Sequence, residues 1–303
     1  MSATGACTCH NAPMTGTGTA RRPGAVVFDY GNVLYAWESH GALAGRRSAR
    51  AWEEFVAEGE FSRWNEMADA GVPFDDILAA LGRAHPDRPD WADLLADYWR
   101  HFPDSLTGPV PGVGAVVDDL LDAGVRLYAL TNFNHELFAA FGRPRVPQLE
   151  RFSGIVVSGQ EHLTKPDPAI FRVLLERYGL DAAGVLLVDD SPANTDAAAA
   201  LRDAGVKNVI VTLGKRGALW LAQDGTEQHF PPVNVAARDT TGAGDAFIGC
   251  FATVYVKTGD VARAITAANH YAADSVTRLG TQTSYIDREA FTRIYPEFAQ
   301  IGE

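Results

Sequence analysis

Only three of the 303 residues are cysteines, Cys7, Cys9 and Cys250, too few for a disulfide framework and in keeping with a reducing compartment. No apolar run approaches the ~20 residues of a transmembrane helix. The N-terminus also lacks the apolar core of a secretory signal, so a cytoplasmic location is expected. Positive charge is scarce, with 26 Lys and Arg against 38 Asp and Glu and a formal net charge of −12. That balance argues against nucleic acid or an anionic membrane held by a basic face. Lysine is the scarcest charged residue: there are four against 22 arginines, and Lys165 is the only one before Lys207. A chain that uses arginine almost everywhere has lysine at this one place, which requires a local reason.

What is present is a normal globular complement, 47% hydrophobic and 21% charged, enough for one large domain or two ordinary ones. Acidity is uneven. Residues 1–203 carry 17 basic and 28 acidic side chains, and residues 204–303 carry 9 and 10, so the chain is not homogeneous. Residues 1–23, rich in Thr, Gly and Ala without apolar periodicity, read as a disordered leader; their Cys-Thr-Cys-His run has no second half with which to hold a metal. Apolar strands are expected at Ala25–Phe28, Arg126–Leu130, Gly154–Val157, Val185–Val188 and Asn208–Leu213. Between them lie helical patterns at 48–107, 113–123, about 165–178 and 193–203. Strands alternating with helices predict an α/β fold built on a doubly wound, mostly parallel sheet. A strand–turn–strand pattern follows at 209–222.

In such sheets ligands sit at the carboxyl ends of the strands. Those ends carry Asp29, Thr131-Asn132, the Lys165 loop and Asp189-Asp190. An aspartate after a strand is commonly only a turn or a helix cap. Adjacent aspartates are harder to dismiss, because like charges repel unless a cation relieves them. Together the four supply a carboxylate that can attack phosphorus, oxygen ligands for Mg²⁺, and a hydroxyl, an amide and a compact ammonium for phosphate oxygens. That last role gives the isolated lysine its reason.

The set Phe28-Asp29-Tyr30-Gly31-Asn32, Leu130-Thr131-Asn132, Lys165-Pro166-Asp167-Pro168 and Val188-Asp189-Asp190-Ser191 resembles the four motifs of the haloacid dehalogenase-like hydrolase superfamily across residues 24–200. The resemblance implies a Rossmann-like core and a domain over 24–203 with a helical cap at about 37–108. It implies Asp29 as the nucleophile that forms an aspartyl-phosphate, Thr131, Asn132 and Lys165 on the substrate phosphate, and Mg²⁺ held by Asp29, Gly31, Asp189 and Asp190. Phosphatases of this kind usually carry a second aspartate, acting as general acid and base, where this chain has Gly31. A lost acid or base is worth ~10²–10⁴-fold. Glu38 and His135 are candidate substitutes. Dehalogenation, which requires no metal, is the alternative chemistry within the superfamily. The tryptophans Trp37, Trp64 and Trp99 of the cap fit either a pocket or a core.

After about residue 204 the character changes. Asp239-Thr240-Thr241-Gly242-Ala243-Gly244-Asp245 runs into an apolar helix, and glycines at a helix start let backbone N–H groups approach an anion. This string, with Thr212-Leu213-Gly214-Lys215-Arg216-Gly217, resembles the C-terminal part of the ribokinase-like (PfkB) sugar kinases over 204–296. The resemblance implies Asp245 as catalytic base and Gly242, Ala243 and Gly244 as an anion hole. It implies an ATP site lined by Thr212, Gly214, Gly217 and Asn269, and K⁺ near Asp239, Thr241, Ser275, Gly280 and Ser284. The sugar-binding half of that family has no counterpart here, which predicts uncovered strand edges and apolar faces. Three readings follow. One is a Mg²⁺-dependent phosphatase of a small phosphorylated metabolite that carries a kinase-like appendage. The second is an ATP-binding, sugar-kinase-type module. The third is a non-catalytic chimera. If the two parts share a sheet, Asn208–Leu213 is the strand expected to dock on the hydrolase sheet.

Overall fold

The computed structural model describes residues 24–110, 112–189, 208–222, 225–240, 242–280 and 284–302. The expected leader 1–23, the expected helix 193–203, Asp190 and Thr241 lie outside them, as does the side chain of Asp245. The strands are β1 (Ala25–Phe28), β2 (Tyr35–Trp37), β3 (Leu106–Pro109), β4 (Arg126–Thr131), β5 (Gly154–Val157), β6 (Val185–Val188), β7 (Asn208–Thr212), β8 (Ala218–Leu221) and β9 (Glu227–Phe230).

Among the described residues one seven-stranded sheet runs in the order β5-β4-β1-β6-β7-β8-β9. From β5 to β7 every pairing is parallel; β7–β8 and β8–β9 are antiparallel. The fold is therefore α/β, with an antiparallel extension at one edge. Parallel strands are covered on both faces, which is why the central β1 is apolar throughout and fully buried. Its alternate residues serve two cores. Val26 and Phe28 pack with Val117, Phe247 and Phe251, whereas Ala25 and Val27 pack with Ile170, Phe171, Leu174 and Val209. Burying each of the larger side chains, Val, Leu, Ile or Phe, is worth about 1.5–3 kcal/mol.

The expected docking of the 208–213 strand is observed. Leu186 pairs with Asn208 and Leu187 with Val209. The expected exposure of apolar strand faces is not. Val209 and Val211 are buried, and the helices Ala243–Thr258 and Val261–Ser275 lie on the same side of the sheet as the helix Val113–Asp122. A parallel neighbour, β6, replaces the missing half, and the outer edge passes to β9, whose Glu-Gln-His sequence keeps it polar.

The cap is the excursion between β2 and β3, which pair antiparallel at its base. It holds the helices Ala49–Glu58, Phe61–Asp69, Phe74–Ala84 and Pro89–Arg100. Trp52, Phe55, Phe61 and Tyr98 meet in a buried aromatic cluster with ring centroids 4.7–6.1 Å apart. Trp64 is core and donates its indole N–H to the Gly59 carbonyl at 2.7 Å.

Candidate active site

Three parallel strand ends and one loop bring the first set together. Asp29 follows β1, and its backbone N–H donates to the Val188 carbonyl of β6 at 2.9 Å. Asp189 follows β6. The Lys165 loop precedes the helix Pro168–Tyr178, which Asp167 caps by accepting from the Ala169 N–H at 2.8 Å and which Pro168 opens. Asp167 is thus a structural residue, and the capped turn leaves Lys165 to face inward. Its ammonium lies 2.7 Å from Asp189 and 3.0 Å from Asp29, and the three side chains are 5–13% exposed.

The electrostatics follow from this enclosure. Burial pushes the Asp29 carboxyl above the usual carboxylate range; Lys165 opposes the rise and Asp189 adds to it. Burial alone would lower Lys165, but attraction to Asp189 and Asp29 outweighs it and holds the ammonium above its ordinary value. The lysine is fixed as a cation. Asn132 positions it: the carboxamide oxygen accepts the Lys165 N–H at 2.7 Å and the amide donates to the Lys165 carbonyl at 2.9 Å. The second amide hydrogen of Asn132 is left for an anion. Thr131 is buried at the end of β4.

Beside this cluster, between cap and sheet, lies a cavity of about 110 Å³ lined by Gly31, Trp37, Asn65, Asp69, Trp99 and Asn132 among others. Trp37 and Trp99 thus border the pocket, while Trp64 is core. Neither Glu38, which is exposed, nor His135, at the start of the short helix His135–Leu137, lines it. Sequence reasoning missed Asp69. It ends the cap helix Phe61–Asp69 and accepts from the Asn134 N–H at 3.1 Å and from the Asn65 amide at 3.0 Å. Desolvation pushes its carboxyl up to about 7. The Asn134 N–H and Lys165 oppose this, and the charges of Asp29 and Glu66 reinforce it.

The second set also converges. Thr212, Gly214, Gly217, Ala243, Gly244 and Asn269 line one cavity of about 590 Å³, with Val233, Val235, Phe247 and Val276 as apolar wall. Gly242, at φ 79°, starts the 16-residue helix Ala243–Thr258. Gly217, at φ 88°, brings the chain so close to β9 that an added Cβ would lie 2.1 Å from the Phe230 carbonyl. The residues assigned to potassium are also neighbours, but they are engaged. Asp239 accepts from the Gly280 N–H at 2.9 Å, and the Arg278 guanidinium donates to the Ser284 carbonyl at 3.1 Å. Ser275 gives its hydroxyl to the Ala272 carbonyl at 2.8 Å. The Arg278 guanidinium also pairs with the Asp274 carboxylate in this region.

Asp189 and Thr212 both border a third, small cavity between β6 and β7. The two sites therefore stand side by side on one edge of one sheet. No helix among the described residues is long and apolar enough to cross a membrane.

Two family models match: haloacid dehalogenase-like hydrolase over residues 23–202 and pfkB family carbohydrate kinase over residues 177–288. A phosphoglycolate phosphatase of Rhodospirillum rubrum is 31% identical over 214 residues, covering 63% of this chain and 80% of that protein. A deoxyribokinase of Salmonella typhi is 55% identical over 95 residues, 31% of each, so the chain spans about a third of that kinase's length. The solved L-2-haloacid dehalogenase of Xanthobacter autotrophicus is 19% identical, covers 67% of this chain and 80% of its own, and superposes with a TM-score of 0.45.

Proposed function

The chain belongs, over residues 23–202, to the haloacid dehalogenase-like hydrolase family, and from that premise we propose that it is a phosphatase of a small phosphorylated metabolite, with Asp29 as nucleophile. The observation that carries this reading is Lys165, clamped by Asn132 between Asp29 and Asp189. A buried ammonium there holds the nucleophilic carboxylate in place and offers its charge to a phosphoryl group.

Magnesium fits the donor set. Asp29 and Asp189 already converge on one cation, the Lys165 ammonium, and each carries a second carboxylate oxygen, the hard donor that Mg²⁺ takes. Asp29 and Asp189 would hold it, with the Gly31 carbonyl and Asp190 completing the set. Bound there, it would neutralise charge on the phosphoryl oxygens. The chain's own residues do the rest. The Asp29 carboxylate oxygen attacks phosphorus and displaces the alcohol oxygen, and water later cleaves the aspartyl-phosphate. Lys165 and the free amide hydrogen of Asn132 hold the phosphate oxygens. Trp37 and Trp99 bound the organic part of the substrate, and a cavity of this size admits only a small one.

A second activity, nucleotide binding by the C-terminal segment, is favoured by the cavity that gathers Thr212, Gly214, Gly244 and Asn269 at a helix start. Sugar phosphorylation is not part of this reading, because the kinase pattern matches residues 177–288 alone. Hydrolysis of p-nitrophenyl phosphate with Mg²⁺ tests the first reading: it is expected in the wild type and lost in Asp29→Asn. Retention in Asp29→Asn would sink it.

A further inference from the structure

We propose that Asp69, carried on the cap, is the general acid and base of this hydrolase, acting across the pocket where Gly31 provides no side chain. The assignment rests on the phosphatase reading above.

A phosphate ester leaves as an alkoxide unless a positioned acid delivers a proton, and the incoming water later needs a base. Among the described residues that line the pocket, only Tyr30 and Asp69 titrate. The Tyr30 hydroxyl is spent on the Gly142 carbonyl at 2.8 Å, and burial pushes it far above neutrality. Asp69 is then, among the described residues, the one carboxyl that lines this pocket. The space is open: a Cβ built on Gly31 would meet nothing within 4 Å.

Asp69 is held as a catalytic group must be. One oxygen accepts from Asn134 and the other from Asn65, which fixes the plane of the carboxyl and leaves each oxygen a lone pair or a proton for the pocket. The segment around it is tied to the core. The Asn134 amide donates to the Ala68 carbonyl at 3.2 Å, the Ser158 hydroxyl to the Asp69 carbonyl at 2.5 Å, and the His162 ring contacts the Ala70 carbonyl at 3.1 Å. Gly71 permits the approach; a Cβ there would lie 2.5 Å from the Gly159 carbonyl.

Two carboxyls in two environments divide the chemistry. Asp29 sits against a fixed ammonium and is kept for attack. No cation among the described residues contacts Asp69, and its carboxyl stands near neutrality, where it can both give and take a proton. The charged and titratable groups that bear on it are Asp29 and Lys165 from the core, Glu66 and Tyr98 from the cap, and His162 beside Ala70. In the first half, the bond from Asp29 oxygen to phosphorus forms, the bond to the alcohol oxygen breaks, and that oxygen takes the Asp69 proton. In the second, water attacks phosphorus and gives a proton to the Asp69 carboxylate. The bond to Asp29 breaks and inorganic phosphate leaves.

The test compares a leaving group that needs a proton with one that does not. With Mg²⁺ present, Asp69→Asn is expected to lower kcat/KM for glycerol 2-phosphate ~10²–10⁴-fold, and to lower it for p-nitrophenyl phosphate by a factor at least ten times smaller. Adding Gly31→Asp to Asp69→Asn is expected to recover part of the alkyl phosphate activity. A wild-type measurement needs no variant: the alkyl phosphate profile falls above a pH near 7, while the nitrophenyl profile lacks that limb. Equal losses on both esters, or identical limbs in both profiles, overturn the role of Asp69 while Asp29-dependent turnover persists. Absence of Asp29-dependent turnover in the wild type overturns the phosphatase reading and this assignment with it.

Discussion

Leu187 of β6 and Val209 of β7 stand opposite each other in parallel register, and both belong to the apolar cluster on one face of the sheet. Across that pair the hydrolase-type strands become the kinase-type strands without a break. The shared sheet couples the two parts, so one cooperative transition is expected rather than two separate ones. Val211→Asp places an unpaired charge in this cluster and should cost several kcal/mol, on the order of 3 or more. Urea titration should show loss of Asp29-dependent turnover and of cap tryptophan fluorescence at one lowered midpoint. Amide exchange across Asn208–Thr212 should be as slow as in β6.

Lys165 offers a second prediction. Lys165→Met leaves Asp29 and Asp189 buried and facing each other, and removing one partner of a buried ion pair typically costs about 3–5 kcal/mol. Turnover should vanish. Millimolar Mg²⁺ should raise the Tm of this variant by more than it raises the wild type's, since the two carboxylates then have a cation again. Lys165→Arg should also abolish turnover, because a forked guanidinium does not fit where a compact ammonium bridges two aspartates.

The Asp69 carboxyl, at about 7 in the folded chain against 3.8 ordinarily, gives a pH dependence of defined sign. The folded state holds this proton more tightly than the unfolded state. Its contribution is therefore fully present below the unfolded value and is lost as pH rises through the folded one. Relative to Asp69→Asn, the wild type should lose stability between pH about 4 and about 7, by up to a few kcal/mol. Thermal melts of both proteins at pH 5 and pH 8 read the difference; a constant offset would contradict the enclosure of this carboxyl.

Gly244 borders the larger cavity, and a Cβ there meets nothing within 4 Å. Gly244→Val should therefore fold normally yet lose any Tm rise produced by ATP. Gly217→Ala should instead destabilise the chain itself, through both its φ of 88° and the clash with the Phe230 carbonyl.

Much of this was legible in the residue pattern. The apolar runs at β1, β4, β5 and β6 mark buried parallel strands, and the isolated lysine marks a site that needs a compact cation. β9 was not legible: Glu227-Gln228-His229-Phe230 has little apolar character because it closes the sheet's outer edge, where polarity is an advantage. Asp69 was invisible for another reason. On its own it is one more acidic residue at a helix end, and only the folding of the cap over β1 makes it face Gly31. Gly71, two positions later, is the trace that this approach leaves in the sequence. The uncovered edges expected from the missing kinase half did not account for β6 as a substitute neighbour.

The common direction of β6 and β7 bears on descent. A strand, a crossover and a second strand parallel to the first form a unit whose handedness is nearly invariant among α/β proteins. The two family patterns overlap over residues 177–202, a stretch that includes β6. An exchange of genetic material there preserves strand polarity and the edge at which ligands bind, and only the reading frame must be kept. Heredity can thus treat the sheet as open-ended, replacing everything beyond the turn after β6 while Asp29, Lys165 and Asp189 stay in register.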